Sequence, residues 1–500
     1  AAWLGKWWGG APGPIIFGGD TILSQGCFGC DLILSNDVTW TTTNPGGGIY
    51  GRVNGSIREI GGSRWLYKAG DGDLRLDSRN FYSGGTVIED GSIHCMAGAD
   101  GDELGTGPVY FEGGDIRFGG ADARDFPNRV ILRSTTTFRA RDGAVVTFSG
   151  PWEESAAIQF DADADSKVIL GGNDNNTAII PWWFVYQGTV QIDKTNVINN
   201  ASYVADFTFP DWGLGGALLL NQNVAWNDRV QFFGGDTCTI GGVNSNGTCS
   251  FTQPCRLSNA GAQPNSIVLS QVPGGTCVFE QAFIDGSVTG SETPLTLTGG
   301  GVIVFGSSND YAGGTTINAG TLLVNNPAGS GTGSGDVIVG GGTNGAYAGL
   351  GGSGTVDGNV TFTENSGIAP GASVGTLSIN GDVAFPDGTH YVMEFGPSVA
   401  DSVSVRGELT VSTGTTVHLV YAGGHAALGD TNTLFDADSL TAGNVSQWQV
   451  VSDDSMYIVS NATVFAEGTA VKLTGVELIP EPAALLVLVS ALACLVLRKA

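Results

Sequence analysis

The chain has 500 residues, of which 80 are glycine, 21 are lysine or arginine and 48 are aspartate or glutamate. Its formal net charge of -27 repels phosphate backbones, which argues against a nucleic-acid partner. Hydrophobic residues make up 41%, too many for a disordered acidic chain, and charged residues make up only 14%, which disfavours long salt-bridged helices. Because glycine is a poor helix former and threonine, valine and isoleucine favour strands, we predict an all-β protein.

Two segments of the chain repeat one another without a gap. Residues 72–93 read GDLRLDSRNFYSGGTVIEDGSI, and residues 301–322 read GVIVFGSSNDYAGGTTINAGTL. Both predict a strand, an Asn-and-Gly turn, a strand, a Gly turn and a further strand. One such unit cannot bury its own apolar face, whereas stacked units can, so the repeat predicts a β-solenoid. The glycine pairs 84–85 and 313–314 are expected at tight corners, where a Cβ would clash or φ must be positive.

Residues 309–322 resemble the autotransporter-associated β-strand repeat, and residues 80–93 resemble it with departures at Val87 and Ser92. The resemblance implies a right-handed parallel β-helix, or β-solenoid, displayed outside a Gram-negative cell. The residues of this chain that match the repeat motif are Asn309, Tyr311, Gly313, Gly314, Thr315, Ile317, Gly320 and Leu322.

Asp161, Asp163 and Asp165 are the strongest candidates for a cation site. On a strand, side chains at positions i, i+2 and i+4 project from one face. Three exposed carboxylates there are compatible with Ca²⁺ binding, with a solvated acidic turn or with catalysis. No other cofactor is predicted. Residues 181–186, which read PWWFVY, offer rings that either stack on sugars or bury Trp183 in a core.

Seven of the 8 cysteines lie outside the C-terminal apolar run, and an exported protein can oxidise its thiols. Cys238 and Cys249 flank a turn-rich loop, so they are candidates to clamp a hairpin. Cys255 and Cys277 would then be the natural remaining pair. Four cysteines allow three connectivities, so the sequence leaves the pairing open.

The last residues combine a short motif, an apolar run and a basic tail. Residues 483–497 are uncharged, and as a helix they would span roughly 22 Å, short of a ~30 Å hydrocarbon core. The basic pair after the run predicts that the C-terminus faces the cytoplasm. The order resembles the PEP-CTERM sorting signal, which implies cleavage by an exosortase and an exopolysaccharide or surface-matrix setting. The residues that carry the resemblance are Pro480, Glu481, Pro482, Arg498 and Lys499.

We therefore predict four segments: an N-terminal β-solenoid (1–290), the repeat with glycine-rich rungs (291–375), a C-terminal β capping module (376–475) and a sorting tail with a single transmembrane helix (476–500). The predicted function is non-catalytic, as a structural or adhesin-like protein of the cell surface or extracellular matrix. Its predicted partners are an exosortase-type enzyme, exopolysaccharide and, before processing, the membrane.

The alternative function is a carbohydrate-active β-helix enzyme, either a polysaccharide lyase or a glycosidase, or a glycan-binding module. The two functions predict different surfaces. An enzyme needs a groove of converging carboxylates accompanied by arginine or lysine. A structural rod needs only a smooth face of threonine, asparagine and glycine.

Overall fold

The structure is a computed structural model in which regular structure is almost entirely β-strand. It describes residues 14–17, 21–24, 26–43, 49–96, 101–154, 156–172, 182–193, 206–209, 215–221, 224–227, 229–232, 237–257, 266–285, 293–340, 347–371, 373–395, 399–421, 431–453 and 457–480. Across these ranges the only helical element is the 3₁₀ turn Val445–Gln447. The all-β prediction is confirmed. The chain forms two compact units, residues 1–244 with 248–265 and residues 245–247 with 266–500.

The first unit is built from parallel strands, each paired with the strand that follows about one coil later. Gly85–Ile88, for example, pairs in register with Trp65–Ala69 before it and Val109–Phe111 after it. One seven-stranded sheet contains Thr21–Ser24, Val38–Thr41, Trp65–Ala69, Gly85–Ile88, Val109–Phe111, Val130–Leu132 and Trp152–Glu154. A short three-stranded sheet contains Ile15–Phe17, Leu32–Leu34 and Ile57–Glu59.

Two further rows of parallel strands share the long strand Trp182–Ile192. One row contains Gly26–Phe28, Ile49–Val53, Asp73–Leu76, Ser92–Cys95, Asp115–Phe118, Thr136–Ala140, Ile158–Ala162, Trp182–Ile192, Asp206–Phe209, Arg229–Phe232 and Cys255–Leu257. The other contains Ala123–Phe126, Val145–Phe148, Lys167–Leu170, Trp182–Ile192, Gly215–Leu220 and Thr237–Gly242. Ala225–Trp226 pairs with Thr248–Phe251.

The second unit repeats this plan. One sheet contains Thr276–Phe279, Val302–Phe305, Gly320–Val324, Ala348–Gly352, Ser366–Pro370, His390–Phe395, Thr416–Tyr421 and Gln449–Ser452. A second row contains Ser266–Gln271, Leu295–Thr298, Thr315–Ile317, Val337–Val339, Val360–Phe362, Val383–Phe385, Ser402–Val411 and Asn432–Ala442. Three shorter strands are Phe283–Asp285, Thr355–Val356 and Thr376–Ile379.

Parallel stacking continues past residue 376, where the sequence predicts a separate capping module. Thr376–Ile379 pairs in parallel with the first part of Ser402–Val411. Antiparallel pairing between named strands begins only with Asn432–Ala442, which pairs with Ala470–Thr474. The other antiparallel pairs are Thr463–Glu467 with Ala470–Thr474 and Tyr457–Ser460 with Glu477–Pro480. These reversed strands end the parallel pattern, because an antiparallel strand does not extend a parallel coil.

The core of the first unit is filled by inward-facing aromatic and aliphatic side chains on alternate strand positions. Phe138 contacts Phe148, Trp152 and Phe160 with ring centroids 5.3 to 5.8 Å apart. Trp183 is fully buried and stacks on Phe160, so it belongs to the core, as one of the two sequence interpretations holds. Its neighbour Trp182 is 52% exposed, because successive side chains on a strand point to opposite faces.

The last described strand, Glu477–Pro480, contains the first residue of the predicted sorting motif. The predicted transmembrane segment 483–497 and its basic tail lie outside the described residues. Within the described part of the chain, no helix has the length and apolar character needed to cross a bilayer.

Candidate functional site

The two sequence repeats form the same hydrogen-bonded corner in both units. In the first unit, Asn80 Oδ1 accepts the backbone N–H of Ile57 at 2.7 Å, and Asn80 Nδ2 donates to the carbonyl of Glu103 at 2.5 Å. In the second unit, Asn309 Oδ1 accepts the N–H of Phe283 at 2.6 Å and its amide nitrogen donates to the carbonyl of Gly331. Each buried asparagine therefore ties its own coil to the coil before it and the coil after it.

A tyrosine and a threonine complete each corner. The hydroxyl groups of Tyr82 and Thr86 are hydrogen-bonded at 2.6 Å, as are those of Tyr311 and Thr315. Both tyrosines are fully buried, and burial raises the pKa of each phenol above its usual value. A buried hydroxyl needs a hydrogen-bond partner, and here that partner is the uncharged hydroxyl of the threonine. We call each set of asparagine, tyrosine and threonine a corner clasp.

The glycine pairs of the repeats lie where the sequence predicts. Gly85 and Gly314 have φ of 137 and 80 degrees, a region that favours glycine. A Cβ on Gly84 would lie 2.3 Å from the carbonyl oxygen of Arg64, and one on Gly313 would lie 2.2 Å from the carbonyl carbon of Thr293. The prediction of tight corners is confirmed, because each pair combines a positive φ with a close backbone approach.

The first unit carries a row of basic side chains that sequence analysis does not identify. Neighbouring strands in register place these residues on one face, and we call them the charged row: Arg52, Arg75, His94, Arg117 and Arg139. Their sequence positions lie about one coil apart, so no local motif marks them. This face therefore gathers basic side chains in a chain that has few of them.

Carboxylates balance most of the charged row. Asp77 accepts Nε–H bonds from Arg52 at 2.6 Å and from Arg75 at 2.5 Å. Within the described residues, Arg117 has no carboxylate at ion-pair distance. His94 lies 3.3 Å from Asp73, but burial, together with Arg117 and other arginines, holds the pKa of His94 below its usual value. The imidazole therefore stays neutral near pH 7.

Replacing Asp77 by asparagine is expected to lower the free energy of unfolding by about 1–2 kcal/mol, because two half-buried guanidinium groups lose a shared carboxylate. Chemical denaturation at low salt and again at about 0.5 M added salt measures the effect. The loss should shrink at high salt. Glu467→Gln removes the carboxylate of the exposed Glu467–Lys472 pair and serves as the control with a much smaller effect. Equal losses in both variants would contradict the prediction.

The structure separates the three aspartates of the predicted cation site. The Asp161 carboxylate lies 2.7 Å from Arg141 Nη2. Nε of the same arginine lies 3.5 Å from the carboxylate of Asp163. The strand Ile158–Ala162 ends before Asp163, and Asp165 lies in the following turn, so the three do not share a strand face. A guanidinium between two carboxylates disfavours Ca²⁺. Within the described residues, no group of three or more His, Cys, Asp or Glu side chains is arranged to hold a metal ion.

The four cysteines of the middle region, whose pairing the sequence leaves open, lie on short strands. Cys238 lies on Thr237–Gly242 and Cys249 on Thr248–Phe251, which belong to different sheets rather than to one hairpin. Cys255 is a fully buried free thiol. Burial raises the pKa of the Cys255 thiol, which keeps it protonated and unreactive.

The second unit presents a surface of a different kind. Strand register aligns outward-facing side chains that are mostly threonine, and we call them the threonine row: Thr296, Thr316, Ile338, Thr361, Ala384, Thr410 and Thr441. In the strands from Leu295–Thr298 to Ser402–Val411, the alternate positions are mostly buried valine, leucine, isoleucine and phenylalanine. A row of this composition is the surface expected of a structural rod.

A depression of about 280 Å³ lies beside the threonine row and contains two carboxylates, Asp382 and Glu408. Asp382 Oδ1 accepts the backbone N–H of Glu408 at 2.7 Å, and Asn359 Oδ1 accepts the N–H of Asp382 at 2.9 Å. These side chains therefore cap backbone groups of the next coil. No arginine or lysine is among the described residues that line the depression.

The second unit also contains a histidine pair that no sequence motif predicts. His390 Nδ1 lies 2.9 Å from His418 Nε2, and His418 Nδ1 lies 2.8 Å from Asp453 Oδ1. The partners are 28 and 35 residues apart in sequence. Strand register alone brings them together, so no spacing rule for metal or catalytic motifs reveals them.

Comparison with known proteins identifies the repeats. Residues 66–93 and 295–324 match the passenger-associated-transport-repeat family. These segments contain the two corner clasps, so the predicted repeat is confirmed at both places. The matches cover less than half of the chain. No curated protein sequence matches it.

Among solved structures, the chain is similar to the crystal structure of the Haemophilus influenzae Hap adhesin. The sequences are 12% identical, the similarity covers 91% of this chain and 64% of the Hap chain, and the TM-score is 0.26. The chain thus spans less than two thirds of the length of that adhesin.

Proposed function

We propose that this chain is an exported structural or adhesin-like protein of a Gram-negative cell surface or extracellular matrix. The threonine row carries the proposal, because an uncharged row that continues across successive strands suits extended contact and lacks the groups needed for bond cleavage. The passenger-associated repeats support export, since their family name refers to a transported passenger. The corner clasps then serve to lock successive coils together outside the cell.

The sorting tail extends this proposal. Cleavage by an exosortase-type enzyme near Pro480, Glu481 and Pro482 would separate residues 483–500 from the described strands. Glu477–Pro480 is held by antiparallel pairing with Tyr457–Ser460, so the fold would keep its last strand after cleavage. Until cleavage, the apolar segment 483–497 would hold the protein at the membrane.

The mature surface form is expected to lack the peptide that contains Cys494 and the basic pair after it. Mass spectrometry of protein released from producing cells measures this directly. A variant in which Glu481 is replaced by alanine should accumulate uncleaved, because the sorting signature is altered. Released protein that retains residues 483–500 would contradict cleavage and leave the segment as a simple membrane anchor.

One observation favours the alternative function, a carbohydrate-active enzyme. The charged row combines Arg117 with nearby carboxylates such as Asp73 and Asp115 on one face of the first unit. An acidic polysaccharide lying along the strands' stacking direction would meet these groups in succession.

Incubation of the purified chain with acidic and neutral polysaccharides, with and without Ca²⁺, separates the two functions. A structural or adhesive protein retains polysaccharide without changing its chain length. Release of shorter oligosaccharides, lost in Arg117→Ala, would overturn the structural proposal. Arg406→Ala, outside the charged row, is the matched control.

A further inference from the structure

Three outward-facing residues of the second unit form a diagonal line across adjacent strands. His390 pairs with Thr416, two residues before His418, and His418 pairs with Val451, two residues before Asp453. The two histidine rings lie with centroids 5.1 Å apart. His418 keeps 24% of its side chain exposed, so the pair is open to solvent and to small ions.

The hydrogen bonds determine which ring nitrogens of His390 and His418 carry protons. The carboxylate of Asp453 can only accept, so His418 donates from Nδ1 and keeps a lone pair on Nε2. His390 must then donate from Nδ1 to His418 Nε2. A carboxylate that fixes the tautomer of a histidine, and leaves the other ring nitrogen as an acceptor, is the arrangement found behind many metal-binding histidines.

We propose that His390 Nδ1 and His418 Nε2 together bind a divalent transition metal that prefers imidazole, with Cu²⁺ bound most tightly. Bonds of about 2.0–2.1 Å at a right angle place two ligand nitrogens about 2.9 Å apart, so the ion can replace the hydrogen bond at its observed length once both rings turn to aim their lone pairs at it. Right-angled ligands belong to tetragonal Cu²⁺ and Ni²⁺ geometry, and Cu²⁺ leads the affinity order. Two protein nitrogens hold the ion, and water completes its coordination.

Metal binding requires one proton to move. The proton on His390 Nδ1 shifts to His390 Nε2, so that each histidine offers one lone pair and no proton is released overall. Burial and the neighbouring His418 hold the pKa of His390 below its usual value, which keeps the imidazole neutral near pH 7. Below about pH 6, where an ordinary imidazole becomes protonated, we expect binding to weaken.

Tyr347 supports the site from the opposite side. Its ring meets the His390 ring edge to face with centroids 6.0 Å apart. The ring lies across two glycines, since a Cβ on Gly349 would be 2.9 Å from Tyr347 Cε1 and one on Gly367 would be 2.1 Å from Tyr347 Oη. The glycines thus leave room for the ring beside His390, and the ring limits how far His390 can turn.

Titration of the full chain with CuCl₂ at pH 7.5, followed by electron paramagnetic resonance and calorimetry, tests the site. We expect one tight Cu²⁺ with a spectrum of two equatorial nitrogens, and Cu²⁺ should raise the unfolding temperature. His390→Gln and His418→Gln should each weaken binding at least about tenfold, and Asp453→Asn by about 10–100-fold, the usual effect of losing an outer partner. His94→Gln removes a histidine of the first unit that also faces an aspartate, and it should bind as the parent does.

Two outcomes would overturn the proposal. One is unchanged Cu²⁺ affinity in His390→Gln and His418→Gln, which would place the ion elsewhere. The other is a spectrum with a single nitrogen ligand in the parent protein. Circular dichroism of each metal-free variant establishes that it is folded. The double variant His390→Gln/His418→Gln gives the background from weak sites such as the N-terminal amine.

Discussion

Asn309→Ala is expected to lower the free energy of opening the coils around the corner clasp of the second unit by about 2–5 kcal/mol. The buried amide satisfies the N–H of Phe283 and the carbonyl of Gly331. Alanine leaves both groups buried without a partner, and each such group costs about 1–3 kcal/mol. The substitution weakens the coil before and the coil after at the same time, because the asparagine side chain is hydrogen-bonded to both.

Hydrogen exchange at individual peptides measures this loss better than a global transition. A chain of stacked coils opens locally, so the amide of Phe283 should lose protection while distant coils keep theirs. A loss of about 3 kcal/mol corresponds to faster exchange by roughly two orders of magnitude, since 1.4 kcal/mol is a factor of ten. Asn80→Ala should do the same to the amide of Ile57 in the first unit.

Asn318→Ala is the matched control for this prediction. Asn318 lies in the same repeat, but its side chain is exposed. Its replacement should leave exchange at Phe283 unchanged. Equal protection of the Phe283 amide in the parent and in Asn309→Ala would show that the clasp does not hold the coils together.

The repeats could be predicted from sequence because their chemistry is local and recurs. Asparagine, tyrosine, two glycines and threonine stand at fixed short offsets, and each offset has a physical role at a corner. The same reasoning places Gly85 and Gly314 at positive φ. Inward and outward faces also follow from alternation along a strand, as the buried Trp183 and exposed Trp182 illustrate.

The charged row and the histidine pair could not be predicted in this way. Arg75, His94 and Arg117 meet because strands of successive coils align in register, and register depends on the lengths of the turns between them. Glycine-rich turns of varying length hide that alignment in the sequence. The same difficulty affects the aspartates at 161–165, where strand alternation predicts one face but the strand ends at Ala162.

The residue at which parallel pairing ends cannot be read from the sequence for a related reason. Runs such as 403–411 alternate between buried and exposed side chains in the way that both parallel and antiparallel strands do. Pairing direction leaves no local mark, so the predicted boundary at 376 falls inside the parallel stack. The reversal comes only with the strands around Ala470–Thr474.

Gly314→Val is expected to destabilise the second unit by about 2–4 kcal/mol through backbone strain. Gly314 has φ of 80 degrees, where a β-branched residue is strongly disfavoured, at a cost of about 1–3 kcal/mol. A Cβ there would also lie 2.9 Å from the carbonyl oxygen of Asp336, so the next coil must shift. That carbonyl accepts the N–H of Thr315 at 2.9 Å, and the shift would weaken this bond as well.

Gly340→Ala separates this strain from the general cost of adding a side chain. A Cβ on Gly340 would meet its nearest atom, the carbonyl oxygen of Ile317, at an ordinary 3.5 Å. We expect its free energy of unfolding to stay within about 0.5 kcal/mol of the parent, as for most unstrained surface changes. Gly314→Ala should lie between the two, because it keeps the positive φ but adds one carbon. A Gly314→Val protein as stable as Gly340→Ala would mean that the corner relaxes freely, and that the paired glycines of the repeat do not fix the path of the chain.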